Sequence, residues 1–319
     1  MSAPSPSPKR RGRLLRSLAA AVVLLAVAGY VVVQYITGGT GDPGCRVVAA
    51  RPGGKTYEFT PEQAVNAATI AAVGTNRGMP ERAVTIALAT ALQESGLRNL
   101  AHGDRDSLGL FQQRPSQGWG TEAQVQDPSY AANRFYEHLA KVRGYADLPL
   151  TVAAQRVQRS GYPDAYAKHE PDATVLAAAL TGRSAATLTC TGRPDATSVQ
   201  AGPDAVRAAL VRDFGRDAVQ AAGTASSAAD QNDEGPTAVS GGRTVALPVV
   251  RDTSSAGRSV PERGWQLAHW AVANSSALHI QRVTYAGRTW VAGNSDSEWR
   301  AAGTTRADME KSVRITTEQ

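Results

Sequence analysis

Glu94 is the residue around which chemistry can be built in this sequence. It closes the apolar run that leads up from Ala89, and Ser95 and Gly96 follow at once, so the acid falls where a helix should stop. A polar loop with His102, Asp104 and Asp106 comes next, then Ser107-Leu108-Gly109-Leu110-Phe111-Gln112-Gln113, a Gly/Gln turn. The unpaired carbonyls at a helix C-terminus carry partial negative charge, and apolar surroundings disfavour ionisation, so both bias Glu94 toward its neutral form. A carboxylic acid that keeps its proton near neutral pH can deliver it to a glycosidic oxygen. Asp104 or Asp106, if it faces Glu94, would be a second carboxylate able to activate water or stabilise an oxocarbenium ion; on a solvated loop it would do neither.

The elements that must position this stretch read as helices. Thr60-Pro61-Glu62-Gln63 is a capping box with proline at the first helical position, opening a helix to about Thr75. Pro80 opens a second, in which Val84, Ile86, Leu88 and Leu92 stand among alanines; apolar nearly all round, it belongs in the middle of a domain. Asp127-Pro128 starts a third helix, ended by Gly144, and residues 149–160 form a fourth. A fifth runs from Tyr162 to Leu180 with an interruption before Pro171. Only residues 96–126 are non-helical over any length, which predicts a mainly α domain over 57–192 with one small β-hairpin lobe.

What precedes and follows this domain bounds the setting. Residues 1–16 form a basic tail, with Lys9, Arg10, Arg11, Arg13 and Arg16 in eight positions. The uncharged run of 20 residues from Ser17 to Ile36 would span about 30 Å as a helix, a bilayer's hydrocarbon thickness. Positive charge on its N-terminal side alone predicts a cytoplasmic amino terminus, a single-pass cell-membrane anchor and an extracytoplasmic remainder. Ala26-Val27-Ala28 offers the alternative of a cleaved signal peptide, although the apolar run continues beyond it. Residues 37–56 read as a spacer. Outside a membrane thiols are oxidised, so Cys45 and Cys190, which bracket the central domain, are expected to pair.

The net charge of +6 is concentrated in that tail, and the rest interleaves both signs without a basic stripe, which argues against nucleic acid. His102, His138, His169, His269 and His279 show no metal or triad spacing, and no cofactor is implied. One apolar span without an ionisable residue offers no transport pathway. Residues 193–242 read as a linker with one short helix, and 304–319 as a tail. Between them, 243–303 predicts a small α+β domain: a strand in TVALPVV, a helix from Pro261 to about Ala277, and strand-turn-strand through IQRVTYAGRTWVAG. Trp265, Trp270, Trp290 and Trp299 would be most of its core.

Glu94-Ser95, followed by Ser107 through Gln112, resembles the Glu-Ser and Gly-Leu-Met-Gln signature of SLT-type lytic transglycosylases with the lysozyme-like fold. The interval from Glu94 to Gln112 and the proline at Pro115 fit that pattern. The likeness extends more weakly over residues 57–181, with Asp127-Pro128 and the Asn133 helix in place of the next family helix. Where the family has Ala-Ala-Tyr-Asn-Ala-Gly, this chain has Ala153-Ala154-Gln155-Arg156-Val157-Gln158.

The resemblance implies an enzyme that cleaves the β-1,4 bond between N-acetylmuramoyl and N-acetylglucosaminyl units of peptidoglycan strands. Glu94 would protonate the leaving oxygen and then act as base, as the muramoyl 6-hydroxyl closes on C1. Ser95, Ser107, Gly109, Gln112 and Gln113 would bind glycan, with Tyr162 and Tyr166 on the opposite wall. Asp104 or Asp106 as a working second carboxylate would make the enzyme a hydrolytic muramidase instead. The departure at Gln155–Gln158 suits an alternative, a non-catalytic glycan-binding or wall-scaffolding protein. The C-terminal unit resembles small domains at the ends of some actinobacterial cell-wall proteins, on His269 to Asn274 and Tyr285 to Trp290. The sequence does not identify a protein partner.

Overall fold

Thr60 sets the first central helix. Its hydroxyl accepts from the Gln63 amide while the Gln63 side chain accepts from the Thr60 amide, and with Pro61 in the first turn α1 runs Pro61–Asn76. After a short connection α2 runs Glu81–Ser95, buried without a break from Ala83 to Leu92. Thr85 and Thr90 fit in that buried stretch because each hydroxyl donates to the carbonyl one turn back, Glu81 and Ile86. Two helices that flank the later loop follow: α3, Glu122–Val125, and α4, Pro128–Ala140, capped by Asp127. Then come α5, Leu150–Gln158, and α6, Glu170–Leu180. Helices α1, α4, α5 and α6 all pack against α2.

The computed structural model describes residues 44–51, 53–160, 164–192, 202–216, 242–249, 257–293, 298–302 and 311–318. Two antiparallel sheets flank the helices. In the first, β1 (Cys45–Val48) lies between β2 (Thr56–Phe59) and β3 (Leu188–Cys190). Cys45 sits directly opposite Cys190, and a disulfide joins them. Helix α7, Pro203–Phe214, follows. The second sheet has the order β4-β8-β5-β6-β7, from Thr244–Pro248, Ser312–Thr317, Ile280–Tyr285, Arg288–Val291 and Arg300–Ala301. Helix α8, Val260–Ala273, opens on a second complete capping box, Ser259 with Glu262, and is buried from Gly264 onward.

The expected fold class is overturned. A mainly α lysozyme-like domain with one hairpin lobe is not what forms: eight helices combine with eight strands in two sheets among the described residues. The stretch 96–126, read as non-helical, holds the helix α3 and, as its β structure among the described residues, an isolated bridge from Leu108 to Gln113, while strands form in the segment read as a spacer and in the one read as a tail. Four-residue strands such as Cys45–Val48 are too short to show a period. A separate small α+β domain does not follow either, because α8 packs against α1, α6 and β3 as well as against β5 and β8.

The tryptophans carry that integration. Trp270 Nε1 donates to Asp213 at 2.8 Å, Trp290 Nε1 to the Cys190 carbonyl at 3.1 Å, and Trp299 Nε1 to the Leu188 carbonyl at 2.9 Å. Large apolar rings with one polar handle, they fill the second sheet's core and reach a partner in an earlier element. Residues 43–319 accordingly group as one unit. A preceding transmembrane helix also finds no support: among the described residues no helix is long and apolar enough to cross a membrane, and residues 17–36 lie outside them.

Candidate active site

Helix α2 stops one residue after Glu94 because Gly96 turns left-handed, at φ 63°. The chain beyond that stop leaves carbonyls without helical partners, and α1 supplies them. Gln63 Nε2 donates to the Gly96 carbonyl at 2.7 Å and Asn66 Nδ2 to the Leu97 carbonyl at 2.8 Å. Half-buried Glu94 therefore rises from a helix end fixed by its own neighbour. Its Oε1 accepts a 2.7 Å hydrogen bond from the hydroxyl of Tyr166, a fully buried residue just before α6.

Burial, then the Glu94 charge, push the Tyr166 phenol well above its ordinary value. That phenol is a permanent donor at any working pH, so Oε1 is engaged as an acceptor. Oε2 has no partner among the described residues. One oxygen anchored and the other open is the arrangement a proton donor needs. Beside it, Gln93 Oε1 meets His169 Nε2 at 3.2 Å, and burial leads the effects that lower that imidazole.

The Gly/Gln turn is bound to this helix end. Leu108 and Gln113 exchange main-chain hydrogen bonds of 3.0 and 3.1 Å, closing a four-residue loop between them. At the loop's tip Ser95 Oγ donates to the Leu110 carbonyl at 2.8 Å, and Gln158 Nε2 from α5 donates to the Phe111 carbonyl at 2.7 Å. Gly109 adopts φ 76°, and a Cβ there would lie 2.3 Å from the Val125 carbonyl, so only glycine lets α3 approach. Gln112 also takes a left-handed conformation, at φ 48°, with its amide donating to the Gly109 carbonyl.

Of the residues expected to bind glycan, Gly109 and Gln112 shape this turn beside Glu94's helix. Ser95, Ser107 and Gln113 are buried, and the side chains of Ser95 and Gln113 are committed to main-chain carbonyls. Tyr162 lies outside the described residues. Asp106 accepts from the Ser116 amide at 2.8 Å and from Arg114 Nε at 2.7 Å, and the Ser116 hydroxyl, then the Ser116 amide, then Arg114 hold its carboxyl far below the usual carboxylate range. Asp104 is exposed, and its carbonyl accepts from Ser107. The Cys45–Cys190 disulfide is formed in the first sheet.

Sequence reasoning placed Tyr166 on a facing wall without seeing that it anchors Glu94. The two lie 72 positions apart, and nothing in either local pattern signals the pairing.

Residues 196–311 match the family model VldE, C-terminal domain. The match runs from α7 to β7 and does not include Glu94. No curated protein matches the chain.

Proposed function

We propose that this chain cleaves peptidoglycan glycan strands at the β-1,4 bond between N-acetylmuramoyl and N-acetylglucosaminyl units. The observation that carries the reading is the Tyr166 hydroxyl on Glu94 Oε1 at 2.7 Å, at a helix end whose next residue, Ser95, holds the Gly109–Gln112 turn through the Leu110 carbonyl. Glu94 delivers the Oε2 proton to the glycosidic oxygen as the bond to C1 breaks. It then removes the proton of the muramoyl 6-hydroxyl as that oxygen bonds to C1, which restores the acid and yields a 1,6-anhydro end. The likeness of Glu94-Ser95 and Gly109–Gln112 to the lytic transglycosylase signature supports the substrate. The engagement of Asp106 with Arg114 favours the anhydro route over hydrolysis, because that carboxylate is not free to activate water.

The proposed setting is extracytoplasmic, with attachment to the cell membrane through residues 17–36. A disulfide in the first sheet supports it, since such bonds persist where thiols are oxidised. To test the activity, the full chain is incubated with purified peptidoglycan and the soluble products are weighed by mass spectrometry beside Glu94→Gln. Anhydro-muropeptides from the parent and none from the variant are expected. Reducing ends in their place would establish a hydrolase, and no release from the parent would end the enzymatic reading.

A further inference from the structure

A cleft of about 630 Å³ opens beside α4 and α5, and Glu94 does not line it. Its walls carry Lys141, Arg156 and Arg159, with the Trp119–His138 pair and Gln158 among them. No carboxylate lines it, and none pairs with those three cations among the described residues. The nearest acid on α4, Glu137, is engaged by Arg134 and Arg77 instead.

Three further observations bear on what the cleft is for. Arg159 ends α5 in the left-handed conformation, at φ 52°, where glycine would be the unstrained residue. Backbone strain is thus accepted at the position that brings a guanidinium to the cleft. The His138 ring, stacked on Trp119 at 4.2 Å, reports the sign of the local field. Burial lowers its basicity most, and then Arg134, Lys141 and Arg159 lower it further against the opposing effect of Glu137. Finally, the volume falls in the range of small-ligand sites, roughly 300–1,000 Å³.

We infer that this cleft binds an anionic saccharide, a sugar unit carrying a carboxylate or a phosphate, between Arg156, Arg159 and Lys141. Guanidinium groups take either anion in bidentate fashion. The edge of the Trp119–His138 stack is a group that suits the apolar face of a sugar ring. Gln158 holds the Phe111 carbonyl, so the cleft and the Gly/Gln turn share a wall. The assignment does not require Glu94 to be an acid catalyst.

Titration calorimetry on the full chain tests it, with digalacturonate, glucose 6-phosphate and neutral lactose as probes. At least one anionic probe should bind about tenfold or more tightly than lactose, and weaken as salt is raised. Preference between the two anionic probes identifies carboxylate or phosphate as the recognised group. Arg156→Gln and Arg159→Gly should each weaken that binding by about tenfold. Arg159→Gly is also expected to melt no lower than the parent, because glycine relieves the left-handed residue, so lost binding there cannot be lost folding. Glu94→Gln should bind as the parent does, which separates this site from the cleavage reaction. Equal affinity for lactose, or undiminished anion binding in both arginine variants, would overturn the assignment.

Discussion

At the scale of single residues, the Tyr166 hydroxyl has a role distinct from that of its ring. Tyr166→Phe keeps the buried ring and removes only the donor to Glu94. Turnover of peptidoglycan should fall about tenfold while stability drops by only about 1 kcal/mol, read by product release and by chemical denaturation. Asp213 shows the opposite case, a carboxylate with a structural role. Its side chain is fully buried and accepts from Trp270, Thr69 and Arg212, so Asp213→Ala strands several donors at once. A loss of about 3 kcal/mol is expected in urea unfolding, with the proportional loss of cleavage no greater than the loss of folded protein. His269 sets a pH dependence. Burial pulls it down to about 4, against the opposing hydrogen bond to the Ala179 carbonyl. An unfolded histidine takes up a proton near pH 6.5, which the native site refuses until about 4, so the unfolded state binds more protons between those values. Stability should be full above pH 6.5 and fall by on the order of 3 kcal/mol by pH 4, and His269→Gln should flatten that part of the curve.

Among the elements, the loop between α2 and α4 depends on a single close approach. Gly109→Ala combines a disfavoured φ with a clash against the Val125 carbonyl. It should destabilise by about 2 kcal/mol or more and displace the turn from Glu94, so that activity falls further than stability accounts for. The helices around this loop were legible in the sequence because proline and capping residues mark their starts. The reading of a helix opened by Thr60-Pro61 and one opened after Pro80 agrees with α1 and α2. The strands were legible only in part. TVALPVV and the hairpin at Tyr285–Arg288 carry recognisable patterns, whereas β1 and β2 are four residues each and lie among glycine and proline. β8 did carry a signal, since Val313 and Ile315 alternate with polar neighbours and both are fully buried. The site was legible as far as Glu94 and the turn share one stretch of chain. Its Tyr166 anchor and the cationic cleft were not, because their residues meet only through helices far apart in sequence.

Across the whole molecule, the same logic explains how far the C-terminal third is built into the first two. Arg258 Nη2 donates to the Thr75 carbonyl and Gln266 Nε2 to the Thr75 hydroxyl, which bolts α8 to the end of α1. Gly182 lies so close that a Cβ would stand 1.8 Å from the Glu262 carbonyl, at φ 83°. Gly182→Ala should therefore loosen α8 from α6, and the melting transition should move down for the Glu94 helix and the second sheet together. The disulfide closes a span of 145 residues, for which chain entropy gives about 5 kcal/mol, so a reducing agent should lower the melting temperature by on the order of 10 °C. The order β4-β8-β5 has a consequence for synthesis. Among the described residues β4 has β8 as its only neighbour in the sheet, so residues 244–248 must wait for residues 312–317 to be made before they pair. A chain that cannot close its second sheet early leaves an open strand edge for a chaperone to guard until synthesis is complete.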